Sequence, residues 1–188
     1  MKKDLRHYVK HLKGFIPSEL CSRLVDEMSA ISFQQHKFYD PNKKIHEAWS
    51  GSQELSVSGD RTPSKEELQE KLWKAIEEYL LHCDMPWFCK WSGYTAVRFN
   101  KYSKDKKMAL HCDHIHSMFD GERKGIPILS IVGVLNDDYE GGEFVMFDDY
   151  NIDFKIGDVL IFPSIFLYPH RVEAIKEGTR YSYISWVW

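Results

Sequence analysis

The sequence predicts an α+β fold in which N-terminal helices pack on one sheet of an antiparallel sandwich or jelly roll. Three observations carry this. Two amphipathic helical stretches lie before residue 90, short runs of β-branched and aromatic residues follow one another from residue 94, and turn chemistry separates those runs. Helices first and strands afterwards place the helices together on one sheet. At 188 residues, with 43% hydrophobic and 14% aromatic content, the chain can build a sizeable core and is too apolar for disorder. We read 1–188 as one domain, with 1–90 mainly helical support and early strands, and 94–188 as the β core.

The elements follow in order. Phe15–Pro17 is a short extended piece, and Ser18 is placed to cap a helix with Glu19 near its positive end. Leu20, Cys21, Leu24, Val25 and Met28 recur at helical spacing. Residues 32–60 carry turn signals at Asp40-Pro41-Asn42 and Ser58-Gly59-Asp60, with a short strand at Ile45–Trp49 between them. Ser64-Lys65-Glu66-Glu67 has the form of a capping box. Leu68, Leu72, Ile76, Tyr79 and Leu80 then line one face of a helix reaching about His82. Neither helix carries evident chemistry.

The strands expected are Tyr94–Phe99, Met108–His114, Ile128–Leu135, Gly142–Phe147, Val159–Phe162, His170–Ala174 and Arg180–Trp188. Asn136-Asp137-Asp138, Asp148–Asn151 and Lys176-Glu177-Gly178 punctuate them. Gly141-Gly142 reads as a tight turn needing positive φ.

Composition narrows the function classes. Net charge is −3 with no large basic block, so non-specific nucleic-acid binding has no electrostatic support. Lys101, Lys104, Lys106 and Lys107 read as a solvated loop. The first residues are polar and no apolar run has the length of a membrane span. A cytoplasmic protein with no membrane association is expected, its thiols Cys21, Cys83, Cys89 and Cys112 reduced and without zinc-site spacing.

The chemistry begins at Leu110-His111-Cys112-Asp113-His114. On a strand, His111 and Asp113 would share a face, giving one imidazole and one carboxylate of a 2-His-1-carboxylate facial triad. Such a pair serves equally well as an ordinary hydrogen-bonded couple. A third donor is needed, and His170, which opens a later strand facing the same way as Val172, can supply it. Ten residues on, Arg180 shares a strand face with Ser182, Ile184 and Trp186. An inward arginine needs an anion. A bound oxo-acid carboxylate is one candidate, with the small Ser182 leaving room and Trp186 walling the pocket; Asp158 is the competing partner.

The order H-x-D, His and Arg, with Glu140–Phe144 between and Gly157–Pro163 leading into the second histidine, resembles the prolyl 4-hydroxylase-like Fe(II)/2-oxoglutarate dioxygenases. The resemblance covers about half the chain, from Tyr94 on, and implies a double-stranded β-helix (jelly roll). By that resemblance His111, Asp113 and His170 ligate Fe(II), and Arg180 binds the distal carboxylate of 2-oxoglutarate. Tyr102, Ser182 and Trp186 line the co-substrate, although the loop Ser103–Met108 departs from the family's glycine-rich, aromatic pattern. Trp49 corresponds to a substrate-facing tryptophan or is ordinary packing. The implied reaction uses O2, converts 2-oxoglutarate to succinate and CO2, and hydroxylates an unactivated C–H. A prolyl residue of a peptide or protein is the expected substrate, a free amino acid or other small molecule the alternative. Ascorbate is an accessory the resemblance allows.

Two other classes stay open at this level. A jelly-roll binding or sensor module would keep the fold without turnover. A zinc or cupin-type enzyme would use His114 or His116 beside His111 and His170, although both residues read more naturally as loop or substrate-side positions.

Overall fold

The computed structural model of the chain describes residues 4–40, 42–49, 51–84, 93–113 and 127–188. Helices α1 (Ser18–Glu27) and α2 (Lys65–Cys83) form where apolar spacing places them. Leu20, Cys21 and Leu24 of the first pack with Leu68, Leu72, Ile76 and Tyr79 of the second. Their N-termini differ from expectation. Pro17, not Ser18, precedes α1, and Ser18 is its first helical residue.

Ser64 does precede α2, but no capping box forms. Its hydroxyl donates to Glu27 Oε1 at 2.7 Å and its N–H to Oε2 at 3.0 Å, while Glu67 pairs with Arg23 at 2.6 Å. A carboxylate at the end of α1 thus meets the start of α2, where the helix dipole favours negative charge. The tertiary contact replaces the local cap.

The strands before the H-x-D are β1 (Lys10–Leu12), β2 (Gln34–Gln35), β3 (Phe38–Asp40), β4 (Ile45–Glu47), β5 (Ser56–Ser58), β6 (Arg98–Tyr102) and β7 (Met108–His111). Those after it are β8 (Leu129–Val134), β9 (Glu140–Gly141), β10 (Phe144–Met146), β11 (Tyr150–Ile152), β12 (Val159–Pro163), β13 (His170–Val172), β14 (Ile175–Glu177) and β15 (Arg180–Val187). Among the described residues a large sheet runs β1-β12-β8-β15-β6-β5-β2 and a second runs β11-β10-β13-β7. Sequence-distant neighbours, paired antiparallel, are what a jelly roll requires.

Three expected strands change. Regular pairing begins at Arg98, not Tyr94, because Thr95 turns its polar groups to Ser185 and Trp186. The run Gly142–Phe147 shortens to Phe144–Met146, with positive φ at Gly142 before it and at Phe147 after it. Most important for the site, β7 ends at His111, and Asp113 lies in a bend beyond it.

One face of the large sheet meets the helices through Val97, Phe99, Ile131, Ile161 and Tyr183. The other packs on the second sheet, with Val132, Leu160, Phe162, Ile184 and Trp186 against Phe144, Met146 and Val172. Strand β15 serves both sides by alternation. The N-terminal segment is fastened at Gly157, whose φ of +81° keeps its carbonyl 2.9 Å from the Ile16 N–H; a Cβ there would meet the Ile16 carbonyl. Next to it, Asp158 accepts from His11 Nε2 at 2.8 Å, Gly14 N–H at 2.7 Å and Lys155 N–H at 2.9 Å. No helix among the described residues is long and apolar enough to cross a membrane.

Candidate metal and oxo-acid site

Strands β7 and β13 pair with His111 directly opposite His170, so the imidazole centroids lie 4.3 Å apart. The backbone settles which nitrogen carries the proton. His111 Nδ1 lies 2.8 Å from the Ala109 carbonyl and His170 Nδ1 3.1 Å from the Tyr168 carbonyl. A carbonyl only accepts, so each Nδ1 donates and Nε2 of each ring is the nitrogen left facing Asp113. Those two Nε2 atoms stand 3.4 Å and 3.8 Å from Asp113 Oδ1. Asp113 Oδ2 is turned away, accepting a 2.6 Å hydrogen bond from Ser130, which also meets Ser164 at 2.7 Å.

The outcome is three donor atoms, within 4.8 Å of one another, with lone pairs aimed at one volume. Two imidazole nitrogens and a carboxylate oxygen facing one another in this way can hold a cation. Burial by itself would raise the Asp113 carboxyl, but His170, His111 and the Ser130 hydroxyl outweigh it and hold the group well below the usual carboxylate range. Burial, reinforced by His111, pushes His170 down to about 4 despite Asp113, so it stays a neutral ligand at physiological pH. Phe144 stacks on His170 at 5.3 Å, and Phe38 meets His111 edge-on at 5.4 Å, which fixes both rings.

Arg180 is 1% exposed. Its Nε donates to the Tyr139 hydroxyl at 3.2 Å and Nη1 to Ser182 Oγ at 3.1 Å, while Nη2 is buried without a partner. Tyr102, directly opposite on β6, places its ring 5.0 Å beneath the guanidinium. No carboxylate among the described residues forms an ion pair with Arg180, and Asp158 is occupied elsewhere, so that alternative partner falls away. Gly142 holds φ of +68°, and a Cβ there would come within 3.2 Å of Arg180 Cδ; the glycine gives the arginine stem its space. A buried guanidinium with one free edge fits a carboxylate ligand.

Other sequence candidates fall into place or are revised. Tyr102 lies on a strand and is buried. Ser182 steadies the guanidinium, and Trp186 is 8% exposed with its indole N–H unpartnered. Trp49, weighed as ordinary packing, is 53% exposed and stacks on Phe38 at 3.9 Å, which places it one ring away from His111. His114, His116 and Cys89 lie outside the described residues. Residues 32–60, read from sequence only as turns and one short strand, supply His36 and Phe38, and Glu54 lies buried 3.9 Å from His36.

A further residue was missed: Arg98, whose guanidinium covers the Trp186 ring at 5.0 Å. Its position four residues before Tyr102, on the same face of β6, was the available signal.

The jelly roll thus brings together a His/Asp/His cluster that could hold a cation and a buried guanidinium with one free edge. Comparison with known proteins shows what the chain resembles. Residues 97–188 match the model of the 2OG-Fe(II) oxygenase superfamily. A PKHD-type hydroxylase of Psychrobacter sp. (strain PRwf-1) is 33% identical over 95 residues, 47% of this chain and 36% of the relative. One of Idiomarina loihiensis is 33% identical over 94 residues, 48% and 41% of the two chains. The chain spans less than half the length of these curated relatives.

Among solved structures, the viral collagen prolyl hydroxylase of Paramecium Bursaria Chlorella virus-1 superposes with a TM-score of 0.68 at 15% identity, covering 96% of this chain and 95% of the other. A Pseudomonas putida prolyl-4-hydroxylase gives 0.65 at 18% identity, covering 96% and 92%. Residues 97–188 are thus similar to the 2OG-Fe(II) oxygenase superfamily, and the fold is shared with solved prolyl hydroxylases.

Proposed function

We propose that the protein, working as one domain, is an Fe(II)- and 2-oxoglutarate-dependent hydroxylase that consumes O2, releases succinate and CO2, and acts on a prolyl residue of a peptide or protein. The observation that carries this reading is the unpartnered Nη2 of buried Arg180 in the same sheet-to-sheet interior as three converging lone pairs. A diacid with a chelating end and a free carboxylate end answers both.

In this reading His111, Asp113 and His170 hold Fe(II), which supplies the activation of O2 when bound. Arg180, with Ser182 and Tyr139 fixing its plane, binds the far carboxylate of 2-oxoglutarate, while Tyr102 excludes water around it and Trp186 walls the pocket nearer the metal. The peptide part of the proposal draws on the prolyl hydroxylases among the fold neighbours, one of them in complex with a fragment of the hypoxia inducible factor oxygen degradation domain.

Purified protein should form succinate from 2-oxoglutarate with Fe(II) and O2, and Asp113→Ala should abolish this. A wild type showing neither turnover nor Fe(II)-dependent binding of 2-oxoglutarate would refute the reading. Anaerobic addition of both should also give a weak visible charge-transfer band, absent from a zinc or cupin-type site.

A further inference from the structure

Arg98 is a second interior cation that neither the triad nor Arg180 accounts for. Its Nε is buried with no hydrogen-bond partner, and no carboxylate among the described residues forms an ion pair with it. Burial works against its charge, and Asp113 is the main group opposing that effect.

The register shows where Arg98 stands. Arg180 lies opposite Tyr102, whereas Arg98 lies opposite Ile184 and leans over Trp186. Trp186 in turn is opposite Ser130, the residue that hydrogen-bonds Asp113. The inner face of β15 therefore has Arg180 at one end, and Arg98 sits beside the triad at the other. Two more polar atoms on this wall lack partners, Asn100 Oδ1 and Trp186 Nε1. Unsatisfied interior donors and acceptors clustered around a cation mark a place built for a polar ligand.

We infer that Arg98 is a second anion receptor, holding a carboxylate of the substrate on the side of the triad away from Arg180. The inference rests on the hydroxylase reading and names what the substrate carries: a free carboxylate a few bonds from the carbon that reacts. A diacid co-substrate with one carboxylate on Arg180 and its keto-acid end on the metal has no third anion for Arg98. A free amino acid has one, and so has the C-terminal residue of a peptide. An internal residue of a long peptide does not, unless an acidic side chain adjoins it. Trp186 holds the guanidinium flat, leaving its edge to meet a carboxylate.

The test uses protein loaded with Fe(II) and 2-oxoglutarate without oxygen, titrated with N-acetyl-L-proline, N-acetylprolinamide, and a proline-terminated tripeptide as free acid and as amide. The indole N–H resonance of Trp186 reports occupancy. Each free acid should bind at least tenfold more tightly than its amide. Arg98→Gln should bring the ratio near one, and Arg98→Lys should restore part of it. The two free-acid arms separate amino-acid from peptide recognition.

Acid and amide binding alike, including binding of neither, overturns the inference, as does an Arg98→Gln protein that keeps the preference. An Arg98→Gln protein whose main defect is weakened 2-oxoglutarate binding also overturns it, since Arg98 would then serve the co-substrate. Failure of the wild type to bind 2-oxoglutarate at all would instead strike the hydroxylase reading.

Discussion

Ser130 donates a 2.6 Å hydrogen bond to Oδ2 of Asp113, leaving Oδ1 as the oxygen that faces both His111 and His170. The strand partner of Trp186 thereby decides which lone pairs of a loop carboxylate reach the centre. Groups that orient ligands in this way typically change metal affinity 10–100-fold. Ser130→Ala should weaken Fe(II) binding by about that factor while leaving the fold intact, as measured by metal titration and circular dichroism. Unchanged affinity would show that Asp113 is positioned by its backbone alone.

Arg180 has the opposite signature, functional need against structural cost. A buried cation without a counter-ion is destabilising, and apolar replacements of buried charges are often neutral or stabilising by about 1–4 kcal/mol. Arg180→Met should therefore raise the melting temperature of ligand-free protein and weaken 2-oxoglutarate binding by about 100-fold or more. A destabilised variant that still bound the co-substrate would contradict the assignment.

Gly142 can be tested independently of the charge. Gly142→Ala places a Cβ 2.5 Å from Ile175 Cδ1 and 3.2 Å from Arg180 Cδ, at φ of +68°. The backbone strain alone costs about 1–2 kcal/mol. Chemical denaturation should show a loss of at least that size, accompanied by a raised KM for 2-oxoglutarate because the guanidinium is displaced. Gly178→Ala, also at positive φ but against Asp138 and Tyr139, should lose stability with a smaller effect on KM.

Acid sensitivity of the metal-free protein follows from two buried histidines. Burial, then Arg98 and His111, pushes His36 down to about 3, and burial with His111 pushes His170 down to about 4. The unfolded chain, with histidines near 6.5, binds more protons below that pH than the folded one. Stability is thus full above about pH 6.5 and falls as pH drops toward those lower values. Each histidine contributes a loss of about 2 kcal/mol between pH 7 and pH 5. His36→Asn should remove about half of that slope in denaturation curves; an unchanged slope would show that His36 is not buried neutral.

Strand β15 pairs with both β6 and β8 in the middle of the large sheet and carries Arg180, Ser182 and Trp186. Deleting Tyr181–Trp188 would leave two strands without their shared neighbour. We expect insoluble or molten protein, read by loss of near-ultraviolet circular dichroism. A folded, active truncation would refute this topology.

The sequence by itself determined the two helices, the β-rich second half and the candidates His111, Asp113, His170 and Arg180, because each rests on local pattern or on motif order. Apolar residues at helical spacing bury the same face wherever the helix docks, and β15 alternates as its side chains demand. Its local logic nevertheless failed where a distant partner offered more. The Ser64 capping box gave way to Glu27, and strand alternation did not place Asp113, which lies past the end of β7 and is aimed by Ser130.

Only the tertiary structure decided that the lone pairs converge, that Arg180 is buried without Asp158, and that Arg98 stands over Trp186. Those are facts of register between strands far apart in the chain. No spacing within a single strand encodes which residue of another lies opposite; packing of the two sheets sets it.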